Sequence, residues 1–231
     1  MKTIGLIGGM SWESTLEYYR ILNETAKEKL GGLHSAACLL VSFDFQGIEK
    51  LQHEGDWPRL TGLMVEAAKK LENAGAEIIV ICTNTMHKMA DSVQDSIGIP
   101  LLHIVDVTAG AIKSEGKTAV GLLGTRFTME EDFYRERLAK NHSLNVLIPE
   151  EEERKTIHSI LYDELCLGEI KEKSKNTFSR IIGNLTERGA EGIILGCTEI
   201  PLLVEQKDYE VTLFDTTMIH ARAAVEWALS E

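Results

Sequence analysis

The sequence predicts an α/β fold made of two pseudosymmetric lobes, each a three-layer α/β/α arrangement around a mainly parallel sheet. Three observations lead to this prediction. Short apolar runs alternate with amphipathic stretches along the 231 residues. The apolar runs are continuous, as in strands that are buried on both faces. The same series of motifs occurs twice in the chain, which indicates an internal repeat.

The first part of the chain supplies five predicted elements in order. They are a strand at 3–9, a helix at 12–30, a strand at 34–45, a helix at 61–75 and a strand at 76–85. The strands are runs rich in Val, Ile and Leu, and the helices are amphipathic. Parallel neighbours need helical crossovers, so this order predicts βαβ units.

The second half of the chain repeats the first. Three pairs of segments match in the same order, namely 3–19 with 118–134, 75–83 with 189–197, and 100–112 with 211–223. These matches align Thr83 with Cys197 and Asp106 with Asp215, and we predict both members of the third pair as strands. The predicted lobes are 1–110 and 111–231, with a C-terminal helix at 220–229 that packs back on the first lobe.

The repeat also predicts where a ligand binds. In open α/β sheets the ligand lies beyond the carboxyl ends of the strands, where the loops after the matched strands are found. If the lobes face each other about a pseudo-twofold axis, Thr83 and Cys197 lie on opposite sides of one cleft. That layout suits a protein that acts on two faces of a small molecule.

The charge balance excludes several classes of partner. The chain has 24 basic and 36 acidic side chains and a net charge of −12, which repels phosphate backbones and anionic lipids. We therefore expect no nucleic-acid partner and no membrane partner. The N-terminal residues carry no signal-peptide pattern, so the expected location is the cytoplasm.

The cysteines do not form a disulfide or zinc pattern. Cys38, Cys82, Cys166 and Cys197 are few and scattered, without a C-x-x-C pair. Cys197 follows an apolar strand and precedes a turn or helix, where terminal amides would favour a thiolate. Cys82 should point away from the side that Thr83 faces, because neighbouring side chains of a strand alternate, so we assign it to packing. His87 has no His, Cys or Asp partner at the spacing of metal ligands, so we expect no metal site there.

The glycines of the first loop do not match a dinucleotide-binding pattern. Gly5, Gly8 and Gly9 have the wrong spacing for G-x-G-x-x-G. We expect Gly8 and Gly9 to allow a tight turn that presents backbone amides to a small anion. Ser11 or Ser14 either caps the following helix or contacts the substrate.

Four motifs together resemble the aspartate/glutamate racemase family, in particular its bacterial broad-specificity amino-acid racemases. They are TIGLIGGMSWEST, CTNTMH, LLGTRFTM and GCTEI, and they span nearly the whole chain in order. The resemblance implies an isomerase that racemises amino acids without a cofactor, with its active site in the cleft between two lobes. It also implies a homodimer.

The resemblance assigns the catalytic pair. Members of the family carry one cysteine per lobe, in CNT and GCT contexts, and the two exchange the α-proton on opposite faces. Cys197 inherits the second role, whereas Thr83 stands where the first cysteine is expected. A thiol with a pKa of about 8.5 can become a base, but an aliphatic hydroxyl cannot. In the family the second cysteine handles the L-enantiomer, so a bias towards L-aspartate or L-glutamate is implied.

The resemblance also suggests substrate contacts. They are Met10, Ser11, Gln52, Asn84, Thr85, Thr125, Thr198 and Glu199. Amides and hydroxyls would hold the α-carboxylate, Glu199 or a neighbour would hold the ammonium group, and Gln52 would contact the side-chain carboxylate. Many relatives have a lysine where this chain has Leu167, which leaves the choice between aspartate and glutamate open.

Two alternatives remain open at this point. A cofactor-free decarboxylase of the same superfamily works with a single cysteine, which is what Thr83 leaves. A binding or regulatory protein could keep the pocket and lose turnover together with the first thiol.

Overall fold

A computed structural model describes residues 1–230 and divides the chain into two compact units. Unit 1 consists of Met1–His103 together with the chain from His220 onward, and unit 2 is Ile104–Ile219. The predicted boundary after residue 110 thus falls inside a helix of unit 2, and the last helix joins unit 1 from His220. The predicted α/β class with parallel sheets is confirmed.

Unit 1 contains a three-stranded parallel sheet in the order β2-β1-β3. Its strands are β1 (Ile4–Gly8), β2 (Cys38–Ser42) and β3 (Ile78–Ile81). Its helices are α1 (Trp12–Leu30), α2 (Phe45–Glu54), α3 (Trp57–Asn73) and α4 (Ala90–Gln94), and a 3-10 helix covers Thr85–Met89. Both β1 and β3 are buried throughout, whereas the edge strand β2 is partly exposed.

Unit 2 begins with helix α5 (Ile104–Ser114) and contains a four-stranded parallel sheet in the order β5-β4-β6-β7. Its strands are β4 (Ala119–Gly124), β5 (Asn145–Leu147), β6 (Gly192–Gly196) and β7 (Thr212–Asp215). Its other helices are α6 (Arg126–Glu130), α7 (Asp132–Glu136), α8 (Glu151–Asp163) and α9 (Glu172–Glu187).

Short helical turns complete unit 2, and one last helix follows β7. The turns are a π-helix at Arg137–Asn141 and 3-10 helices at Leu165–Leu167, Ile200–Leu202 and Gln206–Asp208. The last helix, α10 (Thr216–Leu229), starts in unit 2 and continues into unit 1. Among the described residues, no helix combines the length and the apolar character that a bilayer span requires.

The strand registers reproduce the internal repeat. Gly5 pairs with Ile79 in unit 1, and Gly121 pairs with Ile193 in unit 2. Both pairs join the first and third strands of their units, so the two units share a register. Counting four residues on from Ile79 and from Ile193 puts Thr83 and Cys197 at equivalent positions, as the sequence alignment predicts.

The prediction of a strand over 100–112 is wrong. Only Leu101 makes a β-bridge, to Ile79, and α5 begins at Ile104. The buried residues of α5 recur at helical spacing, and this periodicity outweighs the local β-branched content. Asp106 consequently lies in the first turn of α5, whereas Asp215 ends β7, so these two aspartates are not equivalent.

Candidate active site

The candidate site residues form two groups, one in each unit, and all of them except Gln52 on α2 lie at the carboxyl ends of the parallel strands. In unit 2, Cys197 directly follows β6 and is buried. Its Sγ donates a hydrogen bond to Oε2 of Glu199 at 3.0 Å, and the Thr198 hydroxyl donates to the same oxygen at 2.9 Å. Glu199 is also buried. Oε2 of Glu199 therefore accepts hydrogen bonds from both of the residues that precede Glu199.

This arrangement keeps the Cys197 thiol protonated at rest. Burial raises the pKa of Cys197 well above its ordinary value, and the negative charge of Glu199 raises it further. The backbone amide of Glu199 does lower the pKa of Cys197, as expected of amides that follow the strand, but burial and the Glu199 carboxylate outweigh it. The following turn spans only Ile200–Leu202, and a carboxylate lies beside the sulfur.

Thr125 follows β4 and caps α6. Its Oγ1 accepts a hydrogen bond from the Thr128 amide at 3.3 Å and lies 3.2 Å from the Thr128 hydroxyl. The buried hydroxyl thus fixes the start of α6. Its predicted contact with substrate stays a prediction.

In unit 1, Thr83 occupies the strand end that corresponds to Cys197. Its carbonyl accepts from Nδ1 of His87 at 2.8 Å, and the Asn84 carbonyl accepts from the His87 amide at 3.1 Å. Thr83, Asn84 and Thr85 are all buried. The segment after β3 is therefore held by a buried imidazole.

Ser11 caps the first helix. Its Oγ accepts from the Ser14 amide at 3.3 Å, and its carbonyl accepts from the hydroxyls of Ser14 and Thr15. The Gly9 amide donates to Thr15 Oγ1 at 2.8 Å. Thr15 therefore occupies the Gly9 amide, and the expectation that other amides of this turn hold a small anion stays a prediction.

Two further predicted contacts lie in the same unit, against the segment that contains Thr85. Gln52 on α2 is buried, and its Nε2 lies 3.2 Å from Sδ of Met86. Met10 packs in the hydrophobic cluster that also includes Met86. Leu167, by contrast, is in a 3-10 turn of unit 2 with 68% of its surface exposed.

The four cysteines are free thiols. Cys82 is fully buried, and burial raises its pKa far above the ordinary value. Cys38 and Cys166 are half-buried, and burial raises the pKa of Cys38 as well. An inert packing role for Cys82 agrees with this environment.

A cluster of buried histidines in unit 1 was not predicted. The ring centroid of His87 lies 4.8 Å from the ring centroid of His103 and 5.5 Å from that of His220. Nε2 of His220 lies 2.9 Å from the Leu102 carbonyl, and Nδ1 lies 2.8 Å from the Tyr18 hydroxyl. These residues are far apart in sequence, so only the fold brings them together. Nowhere in residues 1–230 do His, Cys, Asp and Glu form a metal-type group of three.

Burial lowers the pKa of His220 to about 3, and the neighbouring His87 contributes to this shift. A neutral ring can donate from Nε2 to the Leu102 carbonyl and accept the Tyr18 hydroxyl at Nδ1. Both ring nitrogens of His220 can therefore form hydrogen bonds while the ring is neutral.

Comparisons with known proteins agree with this architecture. The profile of the family described as Asp/Glu/hydantoin racemase matches residues 7–224. A crystal structure from Yersinia pestis, provisionally described as an Asp/Glu racemase, is 53% identical, with full coverage of both chains and a TM-score of 0.93. An aspartate racemase homologue from Pyrococcus horikoshii OT3 is 38% identical, with full coverage of both chains and a TM-score of 0.87.

A broad-specificity amino-acid racemase, RacX of Bacillus subtilis, is 23% identical over 179 residues, which are 76% of this chain and 75% of that protein. The resemblance drawn from the four motifs is confirmed. The relatives include aspartate and glutamate racemases, which are isomerases. The chain belongs to the Asp/Glu/hydantoin racemase family, and it is an isomerase of that family.

Proposed function

We propose that this protein interconverts the L- and D-forms of aspartate or glutamate by proton transfer at Cα, without a cofactor, and that it favours the L-forms. The observation that carries the proposal is the contact of 3.0 Å between Cys197 Sγ and Glu199 Oε2 at the end of β6. It provides a thiol together with a group that can take its proton. The equivalent strand end carries Thr83.

The first step uses Cys197 as the base. The thiol proton moves to Glu199, and the resulting thiolate removes the α-proton of the L-substrate, which leaves a carbanion at Cα. Burial and the carboxylate make the thiolate costly to form, and the same factors make it a stronger base. A substrate ammonium group close to the Cys197 sulfur would offset part of that cost, because a positive charge stabilises the thiolate.

The second step returns a proton to the other face. Thr83 donates or relays its hydroxyl proton to the carbanion, and solvent carries the proton held by Glu199 back to the Thr83 oxygen, which restores both groups. An aliphatic hydroxyl is a poor base at neutral pH. Removal of the α-proton from a D-substrate would require Thr83 to act as that base. Exchange of the α-hydrogen should therefore be faster from the L-forms than from the D-forms, whereas full interconversion must have the same kcat/KM in both directions, because the two enantiomers have equal free energy.

For the substrate we propose a small acidic amino acid. Asn84, Thr85 and Thr198 supply amide and hydroxyl groups next to the two proposed proton-transfer residues. Gln52 would contact the side-chain carboxylate. Support for this substrate class comes from the family and from the description of the Pyrococcus relative as an aspartate racemase homologue.

The test is Cα hydrogen–deuterium exchange followed by NMR, with L- and D-aspartate and L- and D-glutamate. We expect exchange from the L-forms in the wild type, a loss of about 100-fold or more in Cys197→Ser, and gain of exchange from the D-forms in Thr83→Cys. Cys82→Ser is the matched control and should retain activity, because Cys82 is a packing residue.

Other outcomes contradict the proposal. Equal initial rates of deuterium uptake from L- and D-substrate would contradict the proposed preference for the L-forms. Release of labelled carbon dioxide from a disubstituted malonate without exchange at Cα would indicate a decarboxylase. Tight binding of an amino acid without any exchange would indicate a binding protein.

We further propose that the protein acts in the cytoplasm as a homodimer on its amino-acid substrate, with neither nucleic acid nor membrane as a partner. Support for the dimer comes from α1, which exposes Trp12, Leu16 and Tyr19 on one face. Their spacing of four and three residues puts the side chains on the same side of the helix. Exposed apolar patches of this kind occur where proteins associate.

A further inference from the structure

A separate pocket lies in unit 1, next to the carboxyl end of the edge strand β2. It has a volume of about 380 Å³, and small-molecule sites usually have volumes of about 300–1000 Å³. Its walls come from α2, from α3 and from Phe43 and Asp44, which directly follow β2. None of the proposed catalytic or substrate-binding residues lines it. Ligands of parallel α/β sheets bind beyond the carboxyl ends of the strands, so its location suits a ligand.

Part of the wall is apolar. It consists of Phe43, Ile48, Leu51 and Leu63, of which Ile48 and Leu51 are buried. A ligand that bound here would gain free energy by burying an apolar group against them.

The charged side chains of the pocket are exposed and balance each other. They are Asp44, Lys50, Glu54 and Arg59. Lys50 and Glu54 form an ion pair with each other, at 3.8 Å. Within residues 1–230, the Arg59 guanidinium forms no hydrogen bond or ion pair. Asp44 uses Oδ1 to accept the Gln46 amide at 3.2 Å, which leaves its other oxygen able to accept.

We propose that this pocket binds a free α-amino acid with an apolar side chain. The carboxylate of the ligand pairs with Arg59, the ammonium group pairs with Asp44, and the side chain packs against the apolar wall. A zwitterionic amino acid carries one negative and one positive group, which match the guanidinium of Arg59 and the free carboxylate oxygen of Asp44, both unpaired within residues 1–230. The binding does not rest on the proposed racemase activity, which concerns other residues.

Other ligand classes fit this pocket less well. A simple carboxylic acid would satisfy Arg59 but leave Asp44 without a cation. An acidic amino acid would set a second carboxylate against the apolar wall, and burying a charge without a partner is costly. The proposal therefore separates the ligands of this pocket from the acidic substrates proposed for the active site.

The test is an NMR titration of the isotope-labelled full chain with L-leucine and L-phenylalanine, up to about 10 mM, which fills sites with a Kd near 1 mM. We expect saturable shifts of the Gly47 and Arg59 amide signals. Two analogues of phenylalanine, 3-phenylpropionate and 2-phenylethylamine, lack one charged group each. Each should bind about tenfold more weakly or worse, because a hydrogen bond to a charged group contributes about that factor.

Gly47 offers a variant that fills the pocket without strain. It lies within α2 and lines the pocket, and a Cβ at this position would meet no atom within 4 Å. Gly47→Leu should raise helix propensity and abolish the shifts at Arg59. The matched control is Gly62→Leu in α3, where a Cβ also meets no atom within 4 Å and the residue does not line the pocket.

Gly62→Leu should retain binding, and Arg59→Gln should weaken the binding of both amino acids about tenfold. Three results would overturn the proposal. They are the absence of saturable shifts in the wild type, unchanged affinity in Gly47→Leu, and affinity for 3-phenylpropionate equal to that for phenylalanine. The shifts are read on α2 and α3, so their absence leaves the Cα exchange experiment unaffected.

Discussion

Cys197 and Glu199 illustrate how two side chains set each other's protonation. The thiol donates to the carboxylate at 3.0 Å, and burial together with that negative charge raises the pKa of the thiol. The raised pKa predicts slow alkylation of Cys197 at neutral pH and faster alkylation as the pH rises, because only the thiolate is nucleophilic.

Glu199→Gln tests this coupling. The amide keeps a hydrogen-bond acceptor beside the sulfur but removes the negative charge, so the pKa of Cys197 should fall. We expect iodoacetamide to modify Cys197 faster in the variant at neutral pH, and Cα exchange to slow by about 100-fold or more, because Glu199 can no longer take the thiol proton.

Peptide mapping by mass spectrometry measures alkylation at each cysteine separately. Cys82 serves as an internal control, because it is fully buried with a raised pKa and should stay unmodified in both proteins. Slower alkylation of Cys197 in Glu199→Gln would mean that the negative charge of Glu199 does not raise the pKa of Cys197.

His220 makes stability depend on pH. Its folded pKa is about 3, whereas an unperturbed histidine has a pKa of about 6.5. Below about pH 6.5 the unfolded chain binds a proton that the folded chain does not bind. The free energy of unfolding therefore falls as the pH is lowered, by up to about 1.4 kcal/mol per pH unit for this one group.

Urea unfolding of the wild type and His220→Gln, at several pH values between about 7 and 4, measures this contribution. The variant loses ring hydrogen bonds and should be less stable at neutral pH by about 1–3 kcal/mol. The difference between the two proteins should shrink as the pH falls. A difference that is constant with pH would mean that His220 does not carry the effect.

At the scale of elements, local signals predicted the first strand and helix well. The predicted strand 3–9 and helix 12–30 became β1 (Ile4–Gly8) and α1 (Trp12–Leu30). A continuous apolar run, a capping serine and an amphipathic pattern all agree there. Helix α2 was not predicted, because the third predicted element was extended through Phe45, and Gly47 weakens the helical pattern.

Gly9 shows what the tight turn after β1 requires. Its φ is +81°, and a Cβ at this position would collide with the backbone of Phe43. Gly55, which ends α2, has a φ of +72°, but a Cβ there would meet no atom within 4 Å. The two glycines thus share a left-handed φ and differ in the space around them.

Gly9→Ala should therefore lower the free energy of unfolding by about 4 kcal/mol or more. Gly55→Ala should lower it by only about 1–2 kcal/mol, which is the cost of holding an alanine in a left-handed conformation. Urea unfolding of both variants measures the difference. Equal losses in the two variants would mean that the turn moves away from Phe43 and relieves the collision.

At the scale of the whole chain, the repeat was the strongest predictor. It aligned Thr83 with Cys197, and the strand registers put both at equivalent positions. The contact of Cys197 with Glu199 and the cluster of His87, His103 and His220 were not predicted. The first depends on side-chain directions within a turn, and the second depends on packing between segments far apart in sequence, and periodicity reports neither.

The proposed dimer gives a prediction for the whole molecule. Trp12, Leu16 and Tyr19 on α1 have 65%, 54% and 54% of their surface exposed, and burying that face against a second copy would gain free energy. Light scattering after gel filtration should give twice the mass of one chain for the wild type, and the mass of one chain for Leu16→Glu. Leu33→Glu is the control, because Leu33 is fully exposed and lies outside that helical face. A wild type with the mass of one chain would exclude the dimer, and a dimer that persists in Leu16→Glu would exclude this face as the interface.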